Sequence, residues 1–295
     1  AEDWIRTGRC KRVLVVSADD ITNPNMMSWL GTGFLASGAA TTKDVVSEAA
    51  LPFDRRRNGM IIGMGASALV VEDGRKALER GVTPLAELLA SQFENSAYHV
   101  TRLSTRHVAE TMNRLVAKAE KRFGLRRSAM AAKMLFMSHE TYTPAQGGSS
   151  AAEVEALKST FGADTPKVVV TNTKGFTGHS MGASLEDVIA IRAMNAGKLP
   201  PIANYKEPDP NLSGITLSKG GAYDCEYALR LGAGFGSQIA MTLMRRLWKE
   251  GAAPRVDAPQ HDAWLKAVSG HAAPELEVVH NTLRLKDSGA PTRAT

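Results

Sequence analysis

Cysteine is scarce in this chain of 295 residues: only Cys10 and Cys225 are present. Two distant thiols provide neither metal-ligand spacing nor a disulfide framework, so no metal is expected, and a reducing cytoplasm is the expected setting. No apolar run is long enough to cross a bilayer, so no membrane is expected. The opening residues Ala1-Glu2-Asp3-Trp4 lack the basic and apolar regions of a secretory leader. Nucleic-acid-binding motifs are absent as well. The net charge of +6 is modest for the length and fits solubility or an acidic partner. What the chain does have is apolar residues, 43% of the total, enough for one large core or two smaller ones. No internal repeat is legible.

Short apolar runs predict strands at Val13–Ser17, Ala68–Glu72, Leu85–Ser96, Lys133–Ser138, Lys167–Asn172, Tyr227–Leu231 and Ile239–Met244. Val13–Val16 is apolar throughout, the pattern of a strand buried on both faces of a sheet. Helical spacing appears at Gly74–Arg80, His107–Phe123, Ala151–Phe161 and Leu185–Ala196. Asn23-Pro24-Asn25 reads as a turn and Pro200-Pro201 as a break. The alternation of strand and helix argues α/β with a mixed sheet. After Leu247 the composition shifts. Ala252-Ala253-Pro254 and Ala258-Pro259 read as linker, His261–Val268 and Ala273–Leu285 as helical, and Lys286–Thr295 as loose.

Two stretches carry the chemistry. Thr173–Ala183 reads Thr-Lys-Gly-Phe-Thr-Gly-His-Ser-Met-Gly-Ala, between an apolar strand and a helix. Lys174 and His179 are therefore expected on a glycine-rich turn facing a helix N-terminus, where free N–H groups gather. Ser138-His139-Glu140-Thr141-Tyr142-Thr143-Pro144 follows another apolar strand. Both histidines then lie past strand ends, where open α/β sheets bind ligands. The bland reading of one such histidine is a hydrogen-bonded rim residue; two of them with Lys174 favour catalysis. Arg55-Arg56-Arg57 reads as a solvated or structural charge cluster rather than a phosphate site. Gly232–Gly236 lacks the following helix of a dinucleotide loop.

Ser138–Pro144 resembles the His-Gly-Thr-Gly-Thr-Pro stretch of β-ketoacyl synthases, and Lys174–Ala183 resembles their Lys-x-x-x-Gly-His-x-x-Gly-Ala stretch. Pro52-Phe53-Asp54 with Arg57, Gly59, Gly63, Gly65 and Ala66, and later Gly234-Phe235-Gly236, resemble further segments of that family in the same order. The resemblance implies a ketosynthase domain of a type I polyketide or fatty-acid-like synthase. Its implied fold is thiolase-like, layered α-β-α-β-α, with only the C-terminal portion in residues 1–245 and a post-ketosynthase linker with short helices in 246–295.

The same resemblance implies roles. His139 and His179 would donate N–H groups to the enolate formed when malonyl loses carbon dioxide, with Lys174 orienting them. Gly234, Phe235 and Gly236 would provide the oxyanion hole and a gate, and Thr141, Thr143, Pro144 and Glu153 a structural loop. The implied reaction is decarboxylative Claisen condensation. No cofactor is bound directly; acyl carrier protein delivers a phosphopantetheine thioester. A homodimer is also implied. The family's nucleophilic cysteine would precede the segment matching Ala1–Arg9. Neither Cys10 nor Cys225 has its context, so a companion chain or upstream segment is expected to supply it. Alternatives are a non-catalytic partner similar to a chain-length factor, and a thiolase-like degradative enzyme, which would need a second cysteine near Gly234–Gly236. Glu140 and Tyr142 stand where two glycines are usual, Met64 replaces a glutamate expected to be buried, and Gln238 replaces an asparagine. Gly147–Ser150 lacks the usual aspartate, and three extra residues precede Glu153. These departures suggest a divergent branch, akin to iterative synthases of polyunsaturated or glycolipid chains.

Overall fold

The computed structural model describes residues 1–99, 102–144, 148–181, 184–280 and 282–286. Gly147, Gly182, Ala183 and residues 287–295, named above, lie outside the described residues. The strands are β1 (Arg12–Asp19), β2 (Gly65–Glu72), β3 (Ala86–Asn95), β4 (Met134–Met137), β5 (Val169–Thr171), β6 (Lys198–Pro201), β7 (Thr216–Leu217), β8 (Lys219–Ala222), β9 (Tyr227–Gly234), β10 (Gln238–Arg246), β11 (Leu276–Val279) and β12 (Thr282–Leu285).

Six strands form the central sheet in the order β3-β10-β9-β4-β5-β7. β3, β10 and β9 run antiparallel, while β9, β4, β5 and β7 pair in parallel. All four residues of β4 are fully buried, because helices cover both faces of the parallel half. On one face lie the Thr105–Phe123 and Ser149–Phe161 helices. The first is held by its sequence: Ser104 accepts the His107 N–H, Gly124 closes the end at φ +64°, and Val108, Met112, Leu115 and Ala119 make one buried stripe. On the other face lies the Leu185–Ala196 helix.

Beyond that helix sits a ribbon of β1 and β2. The Ser184 N–H donates to Ser17 Oγ over 2.9 Å. A Cβ on Gly65 would come within 3.0 Å of Leu185, so the ribbon lies close on the helix. The layers thus run helix, sheet, helix, sheet, in agreement with the thiolase-like arrangement.

Several expectations need correction. β1 forms, but it is not buried on both faces: Leu14 and Val16 are each 64% exposed, because among the described residues β2 is the strand paired with it, in a sheet of two. Residues 24–36 are helical rather than a turn at Asn23–Asn25 followed by a mixed stretch; Asn23 caps the first turn by accepting from the Met26 N–H. Pro200 and Pro201 do not break the chain. They sit in β6, which pairs with β8 alone, and a strand with one free side tolerates prolines. Met64 is exposed, so the glutamate it replaces leaves no buried vacancy among the described residues. Ala258-Pro259 is not linker but the first turn of the Ala258–Ser269 helix, capped by Asp257. Ala273–Leu285 is not helical: β11 and β12 form a hairpin. Leu276-Glu277-Val278-Val279 is rich in β-branched residues, and His280 takes a positive φ at the bend.

The Arg55–Arg57 run proves structural. Arg55 pairs with Glu207, Arg56 with buried Asp54, and Arg57 with Asp209, each within 2.8 Å.

Candidate active site

β4 and β5 are parallel neighbours, with Phe136 opposite Val170 and Met137 opposite Thr171. The loops that leave their C-terminal ends therefore start side by side, and the Ser138 N–H donates to the Thr171 carbonyl over 2.9 Å. The first loop carries His139. The second opens with the short helix Lys174–Thr177, turns at Gly178 and then carries His179. A third segment braces it: His179 N–H donates to the Ile61 carbonyl (2.8 Å), and Gly63 N–H to the His179 carbonyl (3.1 Å). This contact requires both glycines. A Cβ on Gly63 would lie 2.1 Å from the Thr177 carbonyl oxygen, and Gly178 has φ +68°.

The two imidazoles meet edge to face, with ring centroids 5.5 Å apart and planes at 86°. Burial, reinforced by the charges of Lys174, His179 and Arg230, pushes the His139 pKa well below its ordinary value. Burial and Lys174 bring that of His179 down to about 3. Both rings are therefore neutral near pH 7, each with one N–H to donate. Lys174 Nζ lies 2.5 Å from Glu186 Oε1, and both side chains are buried. The helix N-terminus expected to face the lysine does so through this carboxylate, in the first turn of the Leu185–Ala196 helix. Burial would raise the Glu186 pKa, but the opposing charges of Lys174 and Arg230 outweigh it and hold it below the usual value.

Behind His139 lies a carboxylate brace. Glu153 accepts from Ser138 Oγ (2.5 Å) and from the His139 backbone N–H (2.9 Å). Burial and the neighbouring Glu140 push its pKa up to about 8. Glu140 is itself buried, accepting from Ser149 Oγ (2.7 Å) and the Tyr142 N–H (3.1 Å), with Arg57 Nε 3.6 Å away. Thr141 joins through its N–H to Ser149 Oγ; Thr143 is half-buried and Pro144 exposed. Tyr142 adopts φ +47°, a conformation that glycine takes freely. In exchange its hydroxyl donates to the Lys174 carbonyl and accepts from the Ile61 N–H, each over 3.3 Å. It thus ties all three segments together.

His139, Lys174 and His179 line one cleft of about 580 Å³, together with Arg230, Gly234 and Met181. Phe235, next to Gly234, is exposed beside Phe34, with ring centroids 5.9 Å apart. Gly236 turns the β9–β10 hairpin at φ +77° and is not part of the cleft wall. Cys225 is buried in the core against the Leu185–Ala196 helix, where burial raises its pKa to about 11. Neither cysteine lines the cleft. Among the described residues no group of three or more His, Cys, Asp or Glu could hold a metal ion, and no helix is long and apolar enough to cross a membrane.

Sequence reasoning missed Glu186, Asp187 and Arg230. The signal was present: Arg230 is a lone cation in the apolar run Tyr227–Leu231, and the two acids open a helix of otherwise apolar spacing.

Comparisons with known proteins agree with this fold. The family described as "Beta-ketoacyl synthase, C-terminal domain" matches residues 85–206. The 3-oxoacyl-(acyl-carrier-protein) synthase 2 of Coxiella burnetii is 34% identical over 182 residues, 60% of this chain and 42% of the relative. The synthase of the same name from Staphylococcus aureus is 30% identical over 217 residues, 72% of this chain and 50% of the relative. The chain thus spans about half the length of the curated relatives it matches. Among solved structures, a type II PKS acyl-carrier protein in complex with its ketosynthase bound to the hexaketide matches with a TM-score of 0.71 and 26% identity, over 83% of this chain and 58% of that one. A beta-ketoacyl synthase from Burkholderia phymatum matches with a TM-score of 0.71 and 25% identity, over 83% and 57%. The layered sheet and these relatives converge on one family: residues 85–206 of this chain match the C-terminal domain of beta-ketoacyl synthases.

Proposed function

We propose that this chain provides the decarboxylating and enolate-stabilising part of a ketosynthase active site. One observation carries the reading: a buried His139 and a half-buried His179, both neutral, meet at 5.5 Å in a cleft that also holds Lys174. In the step they serve, the C–C bond to the malonyl carboxylate breaks, carbon dioxide leaves, and the electron pair becomes an enolate. Its oxygen accepts N–H donations from His139 and His179. Neutral rings suit this task, since each gives a hydrogen bond that strengthens as negative charge develops. The Lys174–Glu186 pair fixes the lysine in the cleft wall, so its charge adds to burial in holding both rings in the neutral form. The enolate carbon then attacks the carbonyl of an acyl thioester; the turn Gly234–Gly236, which meets the cleft at Gly234, offers a backbone N–H to the developing oxyanion with Phe235 as the gate, and collapse breaks the C–S bond and releases the thiolate.

The acyl thioester needs a thiolate. Cys225 is buried away from the cleft and Cys10 does not line it, so we assign the nucleophile to a segment or companion outside this chain. The exposed apolar residues of the β1–β2 ribbon suit such a neighbour. The donor would arrive on the phosphopantetheine arm of an acyl carrier protein, an acidic partner compatible with the +6 charge. We further assign a homodimer, and a division between a ketosynthase portion, 1–245, and a following linker, 246–295. Convergence of both histidines and the lysine favours an enzyme over a non-catalytic partner like a chain-length factor.

The test is His139→Ala and His179→Ala in the assembly that includes the cysteine-bearing part. Malonyl decarboxylation should fall about 100- to 1,000-fold for each, the effect of losing one oxyanion donor. Unchanged turnover would move the assignment to the non-catalytic partner.

A further inference from the structure

Arg230 lends its charge to the site, but its side chain, in the same cleft, has donors to spare. Its side chain is only 14% exposed. A guanidinium carries five N–H donors, and among the described residues none makes a hydrogen bond; its Nε–H is completely buried and unpartnered. Glu186 and Asp187 each lie 3.9 Å away. At that separation they attract its charge but leave its donors free. Buried unsatisfied donors are costly and call for an explanation. Space has been kept for this one: a Cβ on Gly232 would come 2.6 Å from Arg230 Nη1.

We propose that Arg230 is a specificity-determining residue that binds the carboxylate of a malonyl-type thioester beside the histidine pair. The proposal rests on the reading of the cleft given above and extends it. A carboxylate accepts two parallel N–H bonds from a guanidinium, and the free donors of Arg230 offer them. The charge balance also fits. Lys174 and Arg230 face Glu186 and Asp187, two cations against two carboxylates. Burial pushes the Asp187 carboxyl above its ordinary value despite Arg230, so this member gives up its charge most readily when another carboxylate enters. When the C–C bond breaks, carbon dioxide departs neutral, the electron pair passes to the enolate at the imidazoles, and the guanidinium loses its hold. The contact therefore acts on binding of the donor and on discrimination against thioesters without a carboxylate. Its strength is limited by the two protein carboxylates that share the guanidinium's charge, which keeps the bound donor from being trapped before it reacts.

The experiment is calorimetric binding of the amide analogues of malonyl- and acetyl-pantetheine to the 295-residue chain. The amides retain the carboxylate because they do not decarboxylate readily. The native chain should prefer the malonyl analogue. Arg230→Met should weaken the malonyl analogue about tenfold or more and leave the acetyl analogue unchanged, the size of one charge-assisted contact. Arg230→Lys keeps the charge without the fork and should fall between. Gly232→Ala crowds the guanidinium without changing any charge, so it guards against a Met variant that folds poorly; it too should lower the malonyl preference. Equal loss for both analogues, or an unchanged preference in all three variants, overturns the role of Arg230 while leaving the cleft assignment intact. If the native chain binds neither analogue, the thioester reading of the cleft falls and this inference with it.

Discussion

The runs Val13–Val16 in β1 and Met134–Met137 in β4 are alike in composition, and both form strands. Their surroundings differ completely. Every β4 residue is fully buried, whereas Leu14 and Val16 of β1 are 64% exposed. β4 has a strand on each side and helices over both faces; β1 has β2 and one helix. An apolar run thus specifies extended backbone, but burial is decided by what the rest of the assembly brings. The catalytic candidates sit at the end of the enclosed strand, and the ribbon is the surface we propose for a cysteine-bearing neighbour. Truncation separates the two most sharply. Phe136→Ala should cost about 3–5 kcal/mol, while Leu14→Ala should shift a urea melt of this chain by less than about 0.5 kcal/mol. In the complete assembly the Leu14 change should become costly. Equal losses in the isolated chain would mean that the ribbon is not free.

The next largest effect lies in the site. Lys174→Met leaves Glu186 buried with only Arg230, 3.9 Å away, for compensation. Breaking a buried pair in this way should cost about 3 kcal/mol, the low end of the usual range because of that second cation. Glu186→Gln combined with Lys174→Met should recover much of the loss in thermal melts, since no lone buried charge is then left. A double variant as unstable as the single one would show that the lysine stem, rather than the pair, matters for folding.

The same contrast shows how much could be read from sequence. Strand and helix periodicity located β3, β4, β5, β9, β10 and the three long helices between them, because local burial is periodic. The spacing of His139, Lys174 and His179 also led to one cleft, since parallel strands deliver their loops to the same end. What escaped depends on tertiary context. The exposure of β1 reflects how little of the described chain packs on it, not its residues. The β11–β12 hairpin escaped because a short apolar stretch carries both periods until a turn such as His280 decides between them. Arg230, Glu186 and Asp187 stood out in their apolar surroundings but escaped because the partners that give such charges meaning lie far away in the chain.

Protonation gives an intermediate effect, also confined to the enclosed region. The Glu153 carboxyl has its pKa raised from 4.5 to about 8 in the folded chain, by burial and by Glu140. The folded state then keeps a proton that the unfolded chain has released, so this stabilisation is complete below pH 4.5 and is lost as the pH rises toward 8. His179 acts at the other end. Its pKa falls from 6.5 to about 3, so the unfolded chain takes up a proton that the folded one refuses, and stability declines as the pH drops from 6.5 toward 3. Melting temperature against pH should therefore decline on both sides. Glu153→Gln should flatten the alkaline side alone. If it flattens the acid side instead, the proton belongs to another group.

The smallest effect is expected in the ribbon, where an ion pair of the same chemistry as Lys174–Glu186 lies in the open. Arg12 Nε donates to Glu72 over 3.1 Å across β1 and β2, but the arginine side chain is 51% exposed. Glu72 is also held by both terminal nitrogens of Arg80, each at 2.6 Å, so losing Arg12 leaves it paired. Water already screens such a pair, and holding a long side chain in one geometry costs entropy. Arg12→Ala should therefore change stability by less than about 0.5 kcal/mol, within the usual span for exposed pairs. Raising the salt to about 1 M shrinks the screening length to about 3 Å and should erase even that difference, whereas the Lys174→Met loss should survive it. If both losses faded together with salt, the site pair would be as wet as the ribbon pair, and the enclosure on which the neutral histidines depend would be absent.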